Sequence, residues 1–463
     1  MTDLAYAYLA PSDFAQRQGH ADLSLATSGG RALSGAVAHP FFFSGFVAQP
    51  AVVAQGLLML ARVARTRFYV PPNTLAAVLR AADPVVTSTP EGLRFESFSA
   101  CCGVYARLDV DAAALDATHF AAGVTNVDVN APLRQALAGL RASEPLHLNV
   151  GSDALRVATR AGEIVEEKVP LPARWLTGFA ETQMLSAGMT PRHVLTGAAM
   201  RQFMQGLPRS SATRTVMWAA QAARSLRLAT QAAPGAVCVA GPERLRVLEP
   251  LLRYATALHA YGADAAAGAP PQASAWVLAL PGARVTLGLS PEKARGFSGE
   301  GSVLHLIAGG DADEDAAFVS TLLAFEPRID MADLATRALL PQTQIASALG
   351  VLASSGQVGF DLTAGAYFHR PLPVQAGLLD TLHPRLADAR KLLASSAVRP
   401  EGEGQFTVQS AQQRYRVALG AEPAQDRCTC PWHTKYQGTR GPCKHTLAVR
   451  MFIDPLNSTG AHA

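Results

Sequence analysis

Cys428-Thr429-Cys430-Pro431-Trp432 and, after a gap of twelve residues, Cys443-Lys444-His445-Thr446-Leu447-Ala448 are the stretches whose reading decides the C-terminal fold. Three thiols and one imidazole in two tight pairs can close a tetrahedral zinc site, which takes sulfur and nitrogen ligands. In an extended Cys-X-Cys, positions i and i+2 face the same side, so both sulfurs can reach one ion. Gly441-Pro442 interrupts the chain just before Cys443, and His445 to Phe452 is apolar and helical in character, which places the second pair at the first turn of a short helix. The spacing is that of a metal site rather than of a disulfide. His433, inside the gap, is an alternative fourth ligand.

The pattern resembles the SWIM-type zinc finger family, in its bacterial form, whose signature is Cys-X-Cys, a variable gap and Cys-X-His. Gly404 to Ser410 and Tyr415-Arg416-Val417 resemble the two strands that lead into the Cys-X-Cys in that family, and the Cys430-Pro431-Trp432 and Pro442 to Ala448 steps also match its usual wording. The resemblance covers residues 385 to 452. It implies a ββα-type finger holding Zn²⁺ through Cys428, Cys430, Cys443 and His445, with His445 preferred over His433. It further implies contacts with DNA or with proteins. Some bacterial members lie beside AAA ATPases of the MoxR type and von Willebrand A proteins.

The 463 residues are enough for two to four domains. With 49 % hydrophobic and 16 % charged residues, wholesale disorder is excluded. Lysine occurs only five times among 40 basic residues, which, with the many alanines, reads as a GC-rich bacterial coding sequence. Cys101, Cys102 and Cys238 lie outside the finger pattern, and Phe98 to Tyr105 reads as a packed strand. Thiolate ligands need a reducing compartment. Met1-Thr2-Asp3-Leu4 does not open a secretory signal, and the longest apolar run, Ala51 to Ala64, is too short for a bilayer. The expectation is a cytoplasmic protein without membrane contact.

The chain reads as multidomain α+β. Residues 1–172 predict an α+β domain: a helix from Ala51 to Arg65 with Leu57, Leu58, Leu60 and Ala61 as its buried stripe, alternating strands such as Leu93 to Phe98, a short helix at Pro132 to Leu140, and a meander closed by Leu146 to Val150, Leu155 to Thr159 and Glu163 to Val169. This texture faintly resembles a sliding-clamp repeat, on which no assignment rests. Residues 173–304 predict a helical/α+β middle region, with helices at Ala173–Ser186, Pro191–Gln205 and Thr213–Gln231, and strands at Ala275–Leu287 and Ser302–Ile307. Residues 305–375 predict three helices and a hairpin across Thr363-Ala364-Gly365, resembling a winged helix-turn-helix. The finger occupies 385–455.

Charge separates these units. Residues 385 to 450 carry eleven basic and five acidic residues, net +6, more than the +4 of the entire chain. A basic surface beside a zinc module suits a phosphate backbone, and Arg427, Lys435, Arg440 and Lys444 are the candidate contacts. Residues 305 to 375 carry eight acids and three basic residues, net −5, and the would-be recognition helix Gln342 to Ser354 has no Arg or Lys. That helix suits protein or intramolecular packing better than a DNA groove. No P-loop, His-Glu-x-x-His or Gly-x-Ser-x-Gly occurs. Asp311-x-Asp313-x-Asp315 lacks the glycine and bidentate Glu of a calcium loop. Four protein ligands would close the zinc shell and leave no place for an activated water. The sequence therefore predicts a non-enzymatic zinc-binding protein of DNA or protein interaction, or alternatively a scaffold subunit of an assembly without DNA binding, with no catalytic residues and no evident small-molecule substrate.

Overall fold

The alternating stretches between residues 85 and 111 fold as expected into strands Val85–Thr89, Gly92–Phe98 and Val104–Asp111. They sit in the middle of a ten-stranded, wholly antiparallel sheet. A computed structural model of the chain describes residues 4–8, 11–17, 19–69, 83–141, 143–151, 167–171, 173–212, 215–299, 301–305, 312–372 and 383–453. The strand expected at Leu155 to Thr159, the first part of that expected at Glu163 to Val169, and Asp311 fall outside them. The sheet runs Thr190–Thr196, Ala257–Gly262, Ser274–Leu280, Ala283–Leu289, Val104–Asp111, Gly92–Phe98, Val85–Thr89, Gly123–Asn126, Gly30–Ala32, Gly35–Val37. Val104–Asp111 pairs with Ala283–Leu289 from Val104↔Leu289 to Val110↔Ala283. Main-chain hydrogen bonds thus cross the boundary expected at 172/173.

A second, five-stranded sheet contains the parallel pair His20–Leu25 and Leu146–Val150. Helix α1 (Pro50–Arg65) packs on the large sheet and places Val52, Val53, Leu57, Leu60 and Val63 in the main apolar core, with Leu58 only partly buried. Its Gly56 permits this approach, because a Cβ there would meet the Leu108 methyls at 2.8 Å. Helix α2 (Ala131–Gly139) opens with Asn130, whose side chain accepts a bond from the Leu133 N–H.

Several expectations are corrected. Helix α3 (Ala173–Ala187) forms as read, but Pro191 to Thr196 is strand, and only Gly197–Gln205 is helix (α4). Thr213 to Gln231 contains no helix among its described residues. Val216–Ala222 and Ser225–Ala229 form a hairpin whose two-residue turn carries Ala223 at φ 52°. Such turns favour Gly or Asn in the left-handed region, so an Ala-Arg turn gives no signal and the alanine-rich strands imitate a helix. Ser302–His305 is a 3₁₀ turn, not a strand. Cys101 and Cys102 lie in the turn between two strands rather than within one, with Cys102 at φ 55°. Burial pushes the Cys102 thiol up to about 12 and the Cys238 thiol up to about 11. A disulfide exchange reagent at mildly alkaline pH is therefore expected to label the half-buried Cys101 in the native protein and to spare Cys102 and Cys238 until unfolding. Rapid labelling of either buried thiol in native protein counts against this packing.

Residues 312–369 form helices α5 (Ala312–Leu322), α6 (Met331–Ala338) and α7 (Gln342–Ser354), followed by the hairpin Val358–Asp361/Ala366–His369. The three helices share one small core of Val319, Leu334, Ile345, Leu349 and Leu352. Two features attach this unit to the rest of the chain. The C-terminal half of α7 is buried and packs on α3. Asp361 of the hairpin, 3 % exposed, meets Arg94 at 2.7 Å, Arg284 at 2.7 Å and Arg107 at 3.2 Å, all from the ten-stranded sheet, with Asp109 bound to the same arginines. Burial pushes both carboxyl groups up, but the guanidiniums, Arg107 first, outweigh it and hold both below the usual carboxylate range. Arg370, fully buried, pairs with Glu96 at 2.6 Å and lies 3.9 Å over the Phe179 ring of α3. Trp175 and Phe179 of α3 pack edge-on against Phe98. Burial of each such ring contributes about 2–3 kcal/mol.

Candidate metal centre

The C-terminal unit begins with helix α8 (Pro384–Ala394) and continues as a four-stranded antiparallel sheet: Val398–Gly402, Gln405–Ser410, Gln413–Ala418 and Arg427–Cys428. The two strands expected before Cys-X-Cys are present, with one more on each side. Cys428 ends the last strand, paired with Val417. Cys430 then caps helix α9 (Pro431–Tyr436), its sulfur accepting from the His433 N–H at 3.4 Å. Sequence reasoning missed α9, although Pro431 in the first turn is a start signal. Cys443 precedes helix α10 (Lys444–Ile453), and its sulfur accepts from the Thr446 N–H at 3.4 Å. His445 lies in the first turn of α10, as read.

These elements bring the ligand atoms of Cys428, Cys430, Cys443 and His445 to within 4.8 Å of one another, all four residues being buried. His445 Nδ1 faces Cys428 Sγ at 3.8 Å. His433 stands outside the cluster and is only half-buried, with its main chain rather than its ring directed to a sulfur. Tyr415 packs against the His445 ring, with centroids 4.4 Å apart and planes tilted by 32°.

Without a cation the three thiols cannot ionise together. Hydrogen bonds from Cys428 and Cys430 hold the Cys443 thiol far below its ordinary value, while hydrogen bonds to Cys430 and Cys443, together with burial, push Cys428 far above it. Crowded sulfur donors oppose one another's ionisation, and a bound cation would favour the thiolate form of all three. The donor set, S₃N with four members, is that of a closed structural Zn²⁺ site.

The cluster rests on the rest of the chain. Its apolar surroundings include Val408, Val417, Leu447 and Val449 of the finger, and also Ala180 of α3 with Val303 and Leu304 of the 3₁₀ turn. Glu181, fully buried on α3, holds that turn by accepting from the Ser302 N–H at 2.9 Å. Arg385, which sequence reasoning did not single out, donates to the carbonyls of Arg440 and Pro442 and lies 4.4 Å over the Trp432 ring. Gly441, at φ 72°, touches Gly301, and a Cβ there would run into the Gly301 carbonyl. Gly441→Ala is expected to cost about 1–3 kcal/mol and to speed proteolysis around residues 299–305. Unchanged cleavage rates would contradict this docking.

The four basic residues expected to meet nucleic acid differ in their surroundings, and Lys435 and Arg440 both lie over the Tyr436 ring. Arg440 is half-buried, bonds the Gly299 carbonyl and lies over Trp432 and Tyr436. Lys444 pairs with Asp388 at 3.2 Å. Arg427 and Lys435 are exposed, Arg427 bonding the Asp426 carbonyl and Lys435 lying over Tyr436. Arg450, which sequence reasoning did not single out either, makes a two-pronged pair with Asp426 at 2.6 and 3.0 Å. No helix among the described residues is long and apolar enough to cross a membrane.

Comparison with known proteins agrees at this site. Residues 415–449 match the family model of the SWIM zinc finger. A search of curated proteins finds no match. Among solved structures the chain is similar to the Proliferating Cellular Nuclear Antigen of Entamoeba histolytica, at 10 % identity over 55 % of this chain and 100 % of that one, with a TM-score of 0.34. It is also similar to A. fulgidus PCNA bound to the C-terminal region of FEN-1, at 9 % identity over 54 % and 97 % with a TM-score of 0.33. The third is the Sulfolobus tokodaii PCNA2-PCNA3 complex, at 8 % over 54 % and 99 % with a TM-score of 0.32. At superpositions this poor the likeness carries no assignment. All four members of the sulfur-nitrogen cluster fall inside the matched range, so residues 415–449 of this chain are a SWIM-type zinc finger segment.

Proposed function

We propose that this is a non-enzymatic protein whose finger binds Zn²⁺ through Cys428, Cys430, Cys443 and His445 and serves nucleic-acid contact. The observation that carries the reading is the convergence of four buried ligand atoms within 4.8 Å. Zn²⁺ supplies charge neutralisation for three thiolates and ties strand, α9 and α10 together, and with four protein ligands it has no open position for chemistry. The net +6 of residues 385 to 450 supports an anionic partner. Elemental analysis of reduced, purified protein is expected to give one zinc per chain, with duplex DNA binding that weakens steeply with salt. Metal-free folded protein would refute the zinc assignment, and salt-independent or absent binding would refute the nucleic-acid role.

A second reading, a scaffold subunit in a protein assembly, draws on residues 312–369. As a winged-helix-like module this unit would have its reading helix occupied, since α7 packs on α3, and its wing occupied, since Asp361 is bound to the sheet. It instead presents Leu339, 89 % exposed at φ 55°, and Phe318, 48 % exposed. A left-handed leucine in solvent suits a protein partner better than it suits a free surface. Copurifying proteins that survive high salt and are lost in Leu339→Asp support this role, and their persistence in that variant refutes it.

A further inference from the structure

The finger sheet has two unlike faces. Paired residues of an antiparallel sheet point to the same side. Val398↔Val408↔Tyr415 and Pro400↔Phe406↔Val417↔Cys428 therefore make the inner face, over the metal cluster. The opposite face follows from the same register. Arg399↔Thr407↔Arg416 forms one row, Gln409↔Arg414 the next, and Ala418↔Arg427 another. All four arginines are exposed. Among the described residues Arg399, Arg414 and Arg416 make no ion pair, whereas Arg385, Arg390, Lys444 and Arg450 of the same basic unit are engaged within the chain. Thr407, flanked by Arg399 and Arg416, is only 5 % exposed, as expected where two long stems lie over a short side chain.

Like charges on one face of a sheet repel. Arg414 and Arg416, two positions apart on one strand, are about 7 Å from each other, and Arg399 and Arg416, two strands apart, about 10 Å. A grid of guanidiniums on that scale, without acid partners, is relieved by a polyanion with regularly spaced charge. Guanidinium binds phosphate through two parallel hydrogen bonds. The paired rows of this face carry no aromatic side chain, because Tyr415 turns inward onto His445. Stacking platforms for single-stranded bases are therefore missing.

We propose that the outer face of the finger sheet, through Arg399, Arg414, Arg416 and Arg427, docks the phosphate backbone of double-stranded nucleic acid without reading its sequence. This rests on the nucleic-acid role given above and moves its centre from the α9–α10 region to the sheet.

The test uses the full chain loaded with zinc and fluorescence anisotropy of a labelled duplex of arbitrary sequence, titrated over a range of KCl. Four phosphate contacts give a log–log salt slope of about −3.6. Arg399→Gln/Arg414→Gln/Arg416→Gln is expected to weaken binding about tenfold or more at low salt and to flatten the slope by about 3, with zinc content unchanged. The matching triple Lys variant is expected to keep most of the binding, since charge rather than fold was removed. Lys435→Gln/Lys444→Gln is expected to bind nearly as wild type. Wild-type binding retained by the triple Gln variant overturns the proposal and leaves the nucleic-acid role standing. Binding lost only in the Lys435/Lys444 variant does the same. No salt-dependent binding by wild type removes both. Salt-sensitive capture of an acidic protein by these arginines, with no affinity for duplex, overturns the choice of partner.

Discussion

Cys443→Ser will leave the protein without its metal. Serine is a poor zinc ligand, and three remaining donors cannot close a tetrahedral shell. Structural zinc sites in small modules bind with an apparent free energy of about 10–16 kcal/mol that is at the same time folding free energy, so few other single substitutions approach this loss. Elemental analysis should fall from one zinc per chain to none, and residues 415–449 should become sensitive to protease. The effect should not stop at the finger. Ala180, Val303 and Leu304 share its apolar core, so the thermal transition of the upstream sheets should shift downward as well. His433→Ala, by contrast, should retain full zinc, because that ring lies outside the cluster. Zinc at full stoichiometry in the serine variant, or its loss in the alanine variant, would show that the ligand set is misassigned.

Asp361→Ala is the second large expected loss. It leaves Arg94 and Arg107 with Asp109, and Arg284 with Asp109 and the half-exposed Asp111, at sites where the Arg107 side chain is 1 % exposed. Removing one partner of a buried ionic group costs about 3–5 kcal/mol, because uncompensated charge stays behind. Urea unfolding should report that loss, and hydrogen exchange should place it in the hairpin Val358–Asp361/Ala366–His369. A change below about 1 kcal/mol, the range of a surface pair, would mean that the network does not hold the hairpin. The pH dependence follows from the direction of the shifts. Asp109 and Asp361 have folded values below the unfolded carboxylate value of about 3.9. Their stabilisation is fully present above that value and is lost as pH falls from there through the folded values. The variant should accordingly show a shallower loss of stability on acidification than wild type.

The four-residue Cys/His cluster was legible because cysteine and histidine at such spacing have few other uses, and two local signals, Gly441-Pro442 and the following apolar run, placed the helix correctly. The finger's hairpin was legible from its resemblance to the strands that precede Cys-X-Cys in the SWIM family. The mixed α+β character was legible too. Two turns, one in the N-terminal region and one in the middle region, were not. Ala223 and Cys102 take the left-handed turn positions that glycine or asparagine would have announced, and alanine-rich strands buried by a neighbouring sheet read as helix. The charge network could not be read at all, because Arg94 and Asp361 lie 267 residues apart and Arg370 and Glu96 lie 274 apart. The net basic charge of the finger was legible from the count, but the surroundings of each cation were not. Arg440 and Lys444 make contacts within the chain, while Arg399, Arg414 and Arg416 sit on strands whose outward direction emerges only from register.

Ala180 belongs to a helix more than two hundred residues before the last zinc ligand, yet it is wholly enclosed in the same oily interior as that ligand's helix. Excising the finger at the start of its homology would slice through this interior and strand Leu447, Ala448 and Val449 against water. The smallest piece able to stand by itself must bring α3 and the 299–305 segment along, so the recognisable motif is shorter than the thing that folds.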